Sequence, residues 1–252
     1  MRLFLIRHGE SANNFLMQDT GYDHYMRSRH VDPPLTELGE QQAVRLAEHL
    51  AADGHPEARH GQSPTQPNAG YGITHLYCSP MQRALQTTQP VAAALGLHPE
   101  VWTDIHEHGG IFYGNPRSGE GLVSRPGMSR SEIQQRFPGY ILPDAIGEDG
   151  WWRGGYEDMP ACYARAMRVA RRLLQRAEDN SAQGIEESMA LVSHGTFIDS
   201  LLKAFFHQIP DRRFLYQHYN TAITGVDFMH DGTLLLRFLN RTQHLPPEMI
   251  SV

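Results

Sequence analysis

The chain has 252 residues, 40% of them hydrophobic, enough for the core of one large α/β domain or two small ones. Its formal net charge of −6 argues against a nucleic-acid-binding protein, and two cysteines, Cys78 and Cys162, provide no disulfide framework. No stretch approaches bilayer-spanning length, and the N-terminal apolar run is too short for a secretory signal, so the cytoplasm is the expected location and a membrane is not an expected partner.

The first element is a strand over 2–6, the apolar run Leu3-Phe4-Leu5-Ile6, which delivers Arg7-His8-Gly9-Glu10-Ser11 to its C-terminal end. Residues 12–34, with Asn, Asp, Gly and the pair Pro33-Pro34, read as an irregular excursion. Thr36 can cap a helix through about Ala52, with Leu38, Ala43, Leu46, Ala47 and Leu50 on one stripe. Residues 53–72 are rich in Gly, Pro, Gln, Asn and His and read as a surface insertion. A second strand (73–78) leads into a helix from Pro80 to about Leu95, ended by Gly96, with a kink or break expected at Pro90. Cys78 in that strand is expected to be a buried thiol.

A third strand from about Glu100 to Ile105 runs into Glu107. Residues 108–157 are Gly- and Pro-rich, with a short helix over Ser129–Phe137 where Ser129 and Glu132 fit a capping box. After Pro160 a long helix presents Tyr163, Ala166, Met167, Ala170, Leu173 and Leu174. A fourth strand (189–193) ends in Ser193-His194-Gly195-Thr196, and a helix follows from Thr196 to about His207. The runs Ala222–Met229 and Thr233–Leu239 meet at His230-Asp231-Gly232, a hairpin signal.

Three strands thus run into basic or His-bearing turns that each open a helical pattern. A mostly parallel sheet gathers such turns at one edge, where ligands of open α/β sheets bind. The expected product is a pocket holding Arg7, His8, Arg83 and His194. A guanidinium presents a planar fork to phosphate oxygens, and a neutral imidazole can attack phosphorus. The 15 histidines first suggest metal, but no zinc-type ligand spacing occurs. No metal or cofactor is expected.

The pieces Arg7-His8-Gly9-Glu10-Ser11 with Asn14, Pro34-Leu35-Thr36-Glu37-Leu38-Gly39 with Gln42-Ala43, Ser79-Pro80-Met81-Gln82-Arg83-Ala84 with Thr87, then Glu107, then Ser193-His194-Gly195 span nearly the whole sequence. In this order the chain resembles the histidine phosphatase (phosphoglycerate mutase-like) superfamily. The resemblance implies one domain over 1–252, built as a three-layer α/β/α sandwich with a cap formed by insertions. It implies His8 as nucleophile, its tautomer set by a backbone acceptor near Gly9, and a phosphohistidine intermediate. Arg7 and Arg83 would neutralise the phosphoryl oxygens. His194 would add a hydrogen bond and can be cationic beside the phosphate. Asn14, Ser11 and Gly195 would complete substrate binding. Glu107 is the candidate general acid, because a carboxyl beside a bound dianion favours its protonated form; Asp104 is the rival.

Residues 108–157 would cap the phosphate site, bringing Phe112, Tyr113, Arg117, Arg125, Arg130, Arg136, Trp151, Trp152 and Arg153. These can read a second anionic group or a ring, or form a solvated cap with its own aromatic core. The functional expectation is a metal-independent phosphomonoester hydrolase acting on a small phosphorylated metabolite. The alternatives are a cofactor-dependent phosphoglycerate mutase and a catalytically inactive phosphate-binding module. The segment after Glu107, His108-Gly109-Gly110, departs from the Glu-Arg-x-Tyr-Gly pattern of the typical mutase. The oligomeric state is left open.

Overall fold

Strand β1 (Arg2–Arg7) buries Leu3, Phe4, Leu5 and Ile6 on both its faces, as a strand covered on two sides must. In the computed structural model, which describes residues 1–19, 21–52 and 71–252, it is central. It pairs in parallel with β6 (Ser188–Ser193) and antiparallel with β7 (Ile223–Phe228). Beyond β6 lie β2 (His75–Cys78) and β3 (Glu100–Val101), both parallel; beyond β7 lies the antiparallel β8 (Leu234–Arg241). The sheet order is β3-β2-β6-β1-β7-β8. The β7–β8 hairpin turns at Gly232, whose φ of 84° suits glycine.

Alternation along the strands divides the core in two. Phe4, Ile6, Leu76, Cys78, Ala190 and Val192 face α3 (Glu37–Ala51) and α4 (Gln82–Leu95), packing on Leu46, Leu50, Leu85 and Val91. Leu3, Leu5, Tyr77, Met189 and Leu191 face α6 (Met159–Gln183) and α7 (Gly195–Phe205), packing on Val169, Leu173, Ile198 and Leu201. The result is the expected three-layer α/β/α sandwich. Cys78 and Cys162 are buried free thiols.

The excursion expected at 12–34 contains two short helices, α1 (Ala12–Asp19) and α2 (Tyr22–Ser28). Neither has a buried apolar face to give a helical period; α2 has no buried residue. Helix α4 continues through Pro90 to Leu95, so the expected break does not occur. The proline forfeits one backbone bond, which burial of Leu85, Thr88, Val91 and Ala92 outweighs. Strand β3 is shorter than expected because Thr103–Ile105 form a 3-10 turn. On α6 the buried stripe is Cys162, Arg165, Ala166, Val169, Ala170 and Leu173, while Met167 points outward at 48% exposure. Of the surface insertion expected at 53–72, residues 53–70 lie outside the described residues.

Residues 108–157 carry a small hairpin, β4 (Phe112–Tyr113) with β5 (Val123–Ser124), and α5 (Arg130–Arg136) with the Ser129–Glu132 capping box. This segment has no separate core: Ile133, Phe137, Ile146 and Trp151 join the cluster that contains Phe4 and Leu85. Among the described residues, no helix is long and apolar enough to cross a membrane.

The turn after β1 is pressed against the first turn of α3. A Cβ on Gly39 would stand 2.0 Å from the Glu10 carbonyl oxygen, and one on Gly9 2.5 Å from that of Gly39. Gly39→Ala is expected to cost about 3 kcal/mol of unfolding free energy through overpacking. Gly21→Ala, where a Cβ meets nothing within 4 Å, serves as control. Urea denaturation of both variants checks this; equal stability would mean the two turns can separate freely.

Candidate active site

The ends of β1, β2 and β6 place four basic side chains together. His8 lies just past β1, and its Nδ1 is 2.6 Å from the Gly9 carbonyl oxygen, an acceptor, so Nδ1 carries the proton. That leaves Nε2 with its lone pair, and Arg83 Nε donates to it at 3.0 Å. The His8 and His194 rings are 5.0 Å apart between centroids. Arg7 NH1 donates to the His218 carbonyl at 2.6 Å, while Arg7 Nε and His194 Nδ1 are buried without a hydrogen-bond partner among the described residues.

Burial governs the charges. It lowers the Arg7 pKa to about 10, with Glu107 opposing and Arg83 reinforcing the shift. Burial, then Arg83 and Arg7, hold His8 well below the ordinary histidine value. His194 is held neutral in the same way, by burial first, then Arg83 and His8.

Glu107 sits against the N-terminus of α7. Its Oε1 accepts from the His108 amide at 2.8 Å and the Phe197 amide at 3.1 Å, and its Oε2 from the Thr196 amide at 3.2 Å. Helix N-termini offer such unpaired donors. The charge of Glu107 is felt by Arg7 and Arg83. Asp104, the rival, instead pairs with the exposed Arg172 of α6 at 2.6 Å.

The other expected binding residues lie alongside. Asn14 Oδ1 accepts from the Ser11 amide at 3.1 Å and the Ser11 hydroxyl at 2.8 Å, which leaves its Nδ2 as the free donor end. Gly195 opens α7 beside Arg7; a Cβ there would be 3.5 Å from Arg7 Nε. The arginines of 108–157 are mostly occupied structurally. Arg130 donates to the carbonyls of Ile146 and Pro143, Arg136 reaches Gln82 and Met128, and Arg153 pairs with Asp149 in solvent. Arg117 and Arg125 lie over Tyr22 and Tyr113. Trp151 and Trp152 flank His106.

Two supports were not visible in the sequence. Arg165, 3% exposed, makes a bidentate pair with Glu157 and donates to the carbonyls of Asp104 at 2.8 Å and His106 at 2.9 Å, fixing the loop that carries Glu107. Asp32 accepts the Gln82 amide through both oxygens, at 3.1 and 3.2 Å, and lies 3.7 Å from Arg83 NH1. The pattern Asp32-Pro33-Pro34 before a helix start was the available signal, read only as part of the irregular excursion over 12–34.

Burial pushes the Asp32 carboxyl up to about 6, while Arg83, the Gln82 amide and Arg136 pull it back. Below that pH the protonated carboxyl loses its hold on Arg83. Asp32→Asn, which keeps an acceptor but removes the charge, is expected to lower kcat/KM about tenfold at pH 7.5. It should also remove an acidic limb near pH 6 after correction for the substrate's own titration. A full pH–rate profile checks this; the same limb in the variant assigns it to another group.

Comparison with known proteins shows the family and the fold. The model of the histidine phosphatase superfamily (branch 1) matches residues 3–66 and 65–241. The phosphoglycerate mutase-like protein 4 of Arabidopsis thaliana is 27% identical over 234 residues, covering 91% of this chain and 80% of its own length. A 114-residue stretch, 44% of this chain, is 34% identical to the PE-PGRS family protein PE_PGRS11 of Mycobacterium tuberculosis but spans 15% of that protein. The solved phosphoserine phosphatase of Entamoeba histolytica superimposes with a TM-score of 0.56 at 22% identity, over 97% of this chain and 99% of its own, a likeness of fold.

Proposed function

Since the chain belongs to the histidine phosphatase superfamily, we propose that it is a metal-independent phosphomonoester hydrolase working through a phosphohistidine on a small phosphorylated metabolite. The observation that supports this most is His8: a buried, neutral ring with Nδ1 fixed on Gly9 and Nε2 aimed at a guanidinium. In the first step the Nε2 lone pair forms the N–P bond as the ester P–O bond breaks. The leaving oxygen takes its electron pair and a proton from Glu107. Oε2, with its single 3.2 Å contact, is the better placed oxygen to carry that proton. In the second step water attacks phosphorus and gives its proton to Glu107, and the P–N electron pair returns to His8.

Arg7 and Arg83 supply the positive charge that phosphoryl transfer requires as charge builds on the equatorial oxygens. The unpartnered Arg7 Nε and His194 Nδ1 complete the set of donors, with Asn14 presenting its Nδ2 because Oδ1 is taken by Ser11. The Arabidopsis mutase-like relative makes a phosphoglycerate mutase the second reading.

His8→Ala is expected to abolish both turnover and the acid-labile phosphoenzyme with the fold intact. Arg83→Ala should cost roughly a hundredfold in kcat. Phosphate release from a metabolite panel in excess EDTA checks the reading. Primer-dependent interconversion of 2- and 3-phosphoglycerate would identify the mutase, and full activity of His8→Ala would remove the mechanism.

Glu107→Gln should slow alkyl phosphates by about a hundredfold or more yet spare an activated aryl phosphate, whose leaving group needs little protonation. Asp104→Asn should change neither. Pre-steady-state phosphoenzyme formation on the two substrate types decides between the carboxylates; leaving-group dependence in Asp104→Asn alone would transfer the role.

A further inference from the structure

Five side chains outside the phosphate cluster form an arc that runs from Glu107 round to Arg83. The His108 amide donates to Glu107, and its ring meets Tyr156 edge-on, with centroids 5.6 Å apart and Nε2 3.4 Å from the phenol oxygen. Tyr156 packs on Phe112 at 4.8 Å. Arg29 lies over the Phe112 ring at 4.3 Å and donates from NH2 to the Phe112 carbonyl at 2.7 Å. Tyr25, one helical turn before Arg29 on α2, closes the arc: its phenol, desolvated by burial, feels Arg29, Arg83 and Glu107. In-line attack by His8 sends the ester oxygen toward the proton donor, so the alcohol portion of a substrate lies on the Glu107 side, where this arc stands.

Arg29 is the permanent cation of that arc. It is half-buried, and desolvation lowers its pKa. No carboxylate offsets it among the described residues; the groups it feels are the phenols of Tyr25, Tyr22 and Tyr113, which are neutral at pH 7. A partly desolvated cation without a counter-ion costs free energy, and one carbonyl bond uses one of five N–H donors. The Phe112 ring fixes the plane of the fork. The fork can take a carboxylate bidentately, and one monoanion balances its single charge where a dianion would leave an excess. The aromatic surfaces on either side match a flat or apolar body.

We propose that Arg29, with Phe112, Tyr156 and Tyr25, forms a leaving-group subsite selecting phosphomonoesters whose alcohol carries a carboxylate on a flat or apolar body. This inference rests on the hydrolase reading above. It assigns to the α2–hairpin junction a specificity that the phosphate cluster cannot supply, since that cluster contacts only what all phosphomonoesters share.

The test compares phenyl phosphate with 3- and 4-carboxyphenyl phosphate and their methyl esters, measured as kcat/KM on the full chain. The parent is expected to prefer at least one free carboxylate over its ester and over phenyl phosphate by about tenfold. Arg29→Gln should erase the preference while phenyl phosphate hydrolysis, which also reports an intact fold, stays within about twofold. Arg29→Lys, with charge but no fork, should fall between. Hydrolysis of phenyl phosphate without carboxylate preference in the parent would overturn this inference alone. So would an equal loss on all substrates in Arg29→Gln, which would make Arg29 a staple between α2 and the hairpin. Release of phosphate from none of them by the parent would overturn the hydrolase reading and this inference with it.

Discussion

The structure is organised around two guanidinium groups buried at the same edge of a mostly parallel sheet. At an effective dielectric of ~20, like charges a few ångströms apart repel by several kcal/mol. The chain holds Arg7 and Arg83 in place with compensations from separate parts of the sequence. The His218 carbonyl takes Arg7, Asp32 faces Arg83, and Glu107 attracts both from the N-terminus of α7. Burial, reinforced at His8 by both cations and at His194 by Arg83, holds the two rings well below the ordinary histidine value.

The backbone around His8 is held as firmly as its ring. Asn220 Nδ2 donates to the His8 carbonyl at 3.1 Å, and the Thr221 amide donates to the Arg7 carbonyl at 3.0 Å. Thr221 has a φ of 57°, a left-handed conformation that a β-branched residue adopts only when its surroundings compel it. Gln42, fully buried on α3, accepts the Glu10 amide and donates to the Met249 carbonyl and the Ser251 hydroxyl. That hydroxyl in turn donates to Asn220. Segments more than 200 residues apart thus close one polar network beneath the turn. With every partner satisfied, such a network rigidifies a site.

The sequence revealed those features that have local causes. Apolar strands ending in Arg7-His8, Cys78-Ser79 and Ser193-His194 predicted which turns would meet, because parallel strands present their C-terminal ends on one side. The capping box at Ser129 and the Asp-Gly hairpin were legible for the same reason. Helix α2 was not, since a helix lying over a polar site has no buried stripe to reveal its period. Asp32 and Arg165 were hidden for another reason: they act on backbone groups and on side chains far along the chain, and no spacing rule records such pairings. The arginines of 108–157 looked available for ligands because composition cannot show that Arg130 is occupied by two carbonyls.

The hydrogen bond from Arg83 Nε to His8 Nε2 has a consequence for the resting protein. The lone pair that would attack phosphorus in the proposed mechanism is already engaged by that N–H. An arriving phosphoryl oxygen must draw that N–H away from nitrogen before nitrogen can react. The exchange trades a bond to a neutral nitrogen for a charge-assisted bond to an anionic oxygen, so the arriving anion itself would favour unmasking. The same guanidinium then serves as both latch and cradle, and reactivity is exposed only in the company of a partner able to use it.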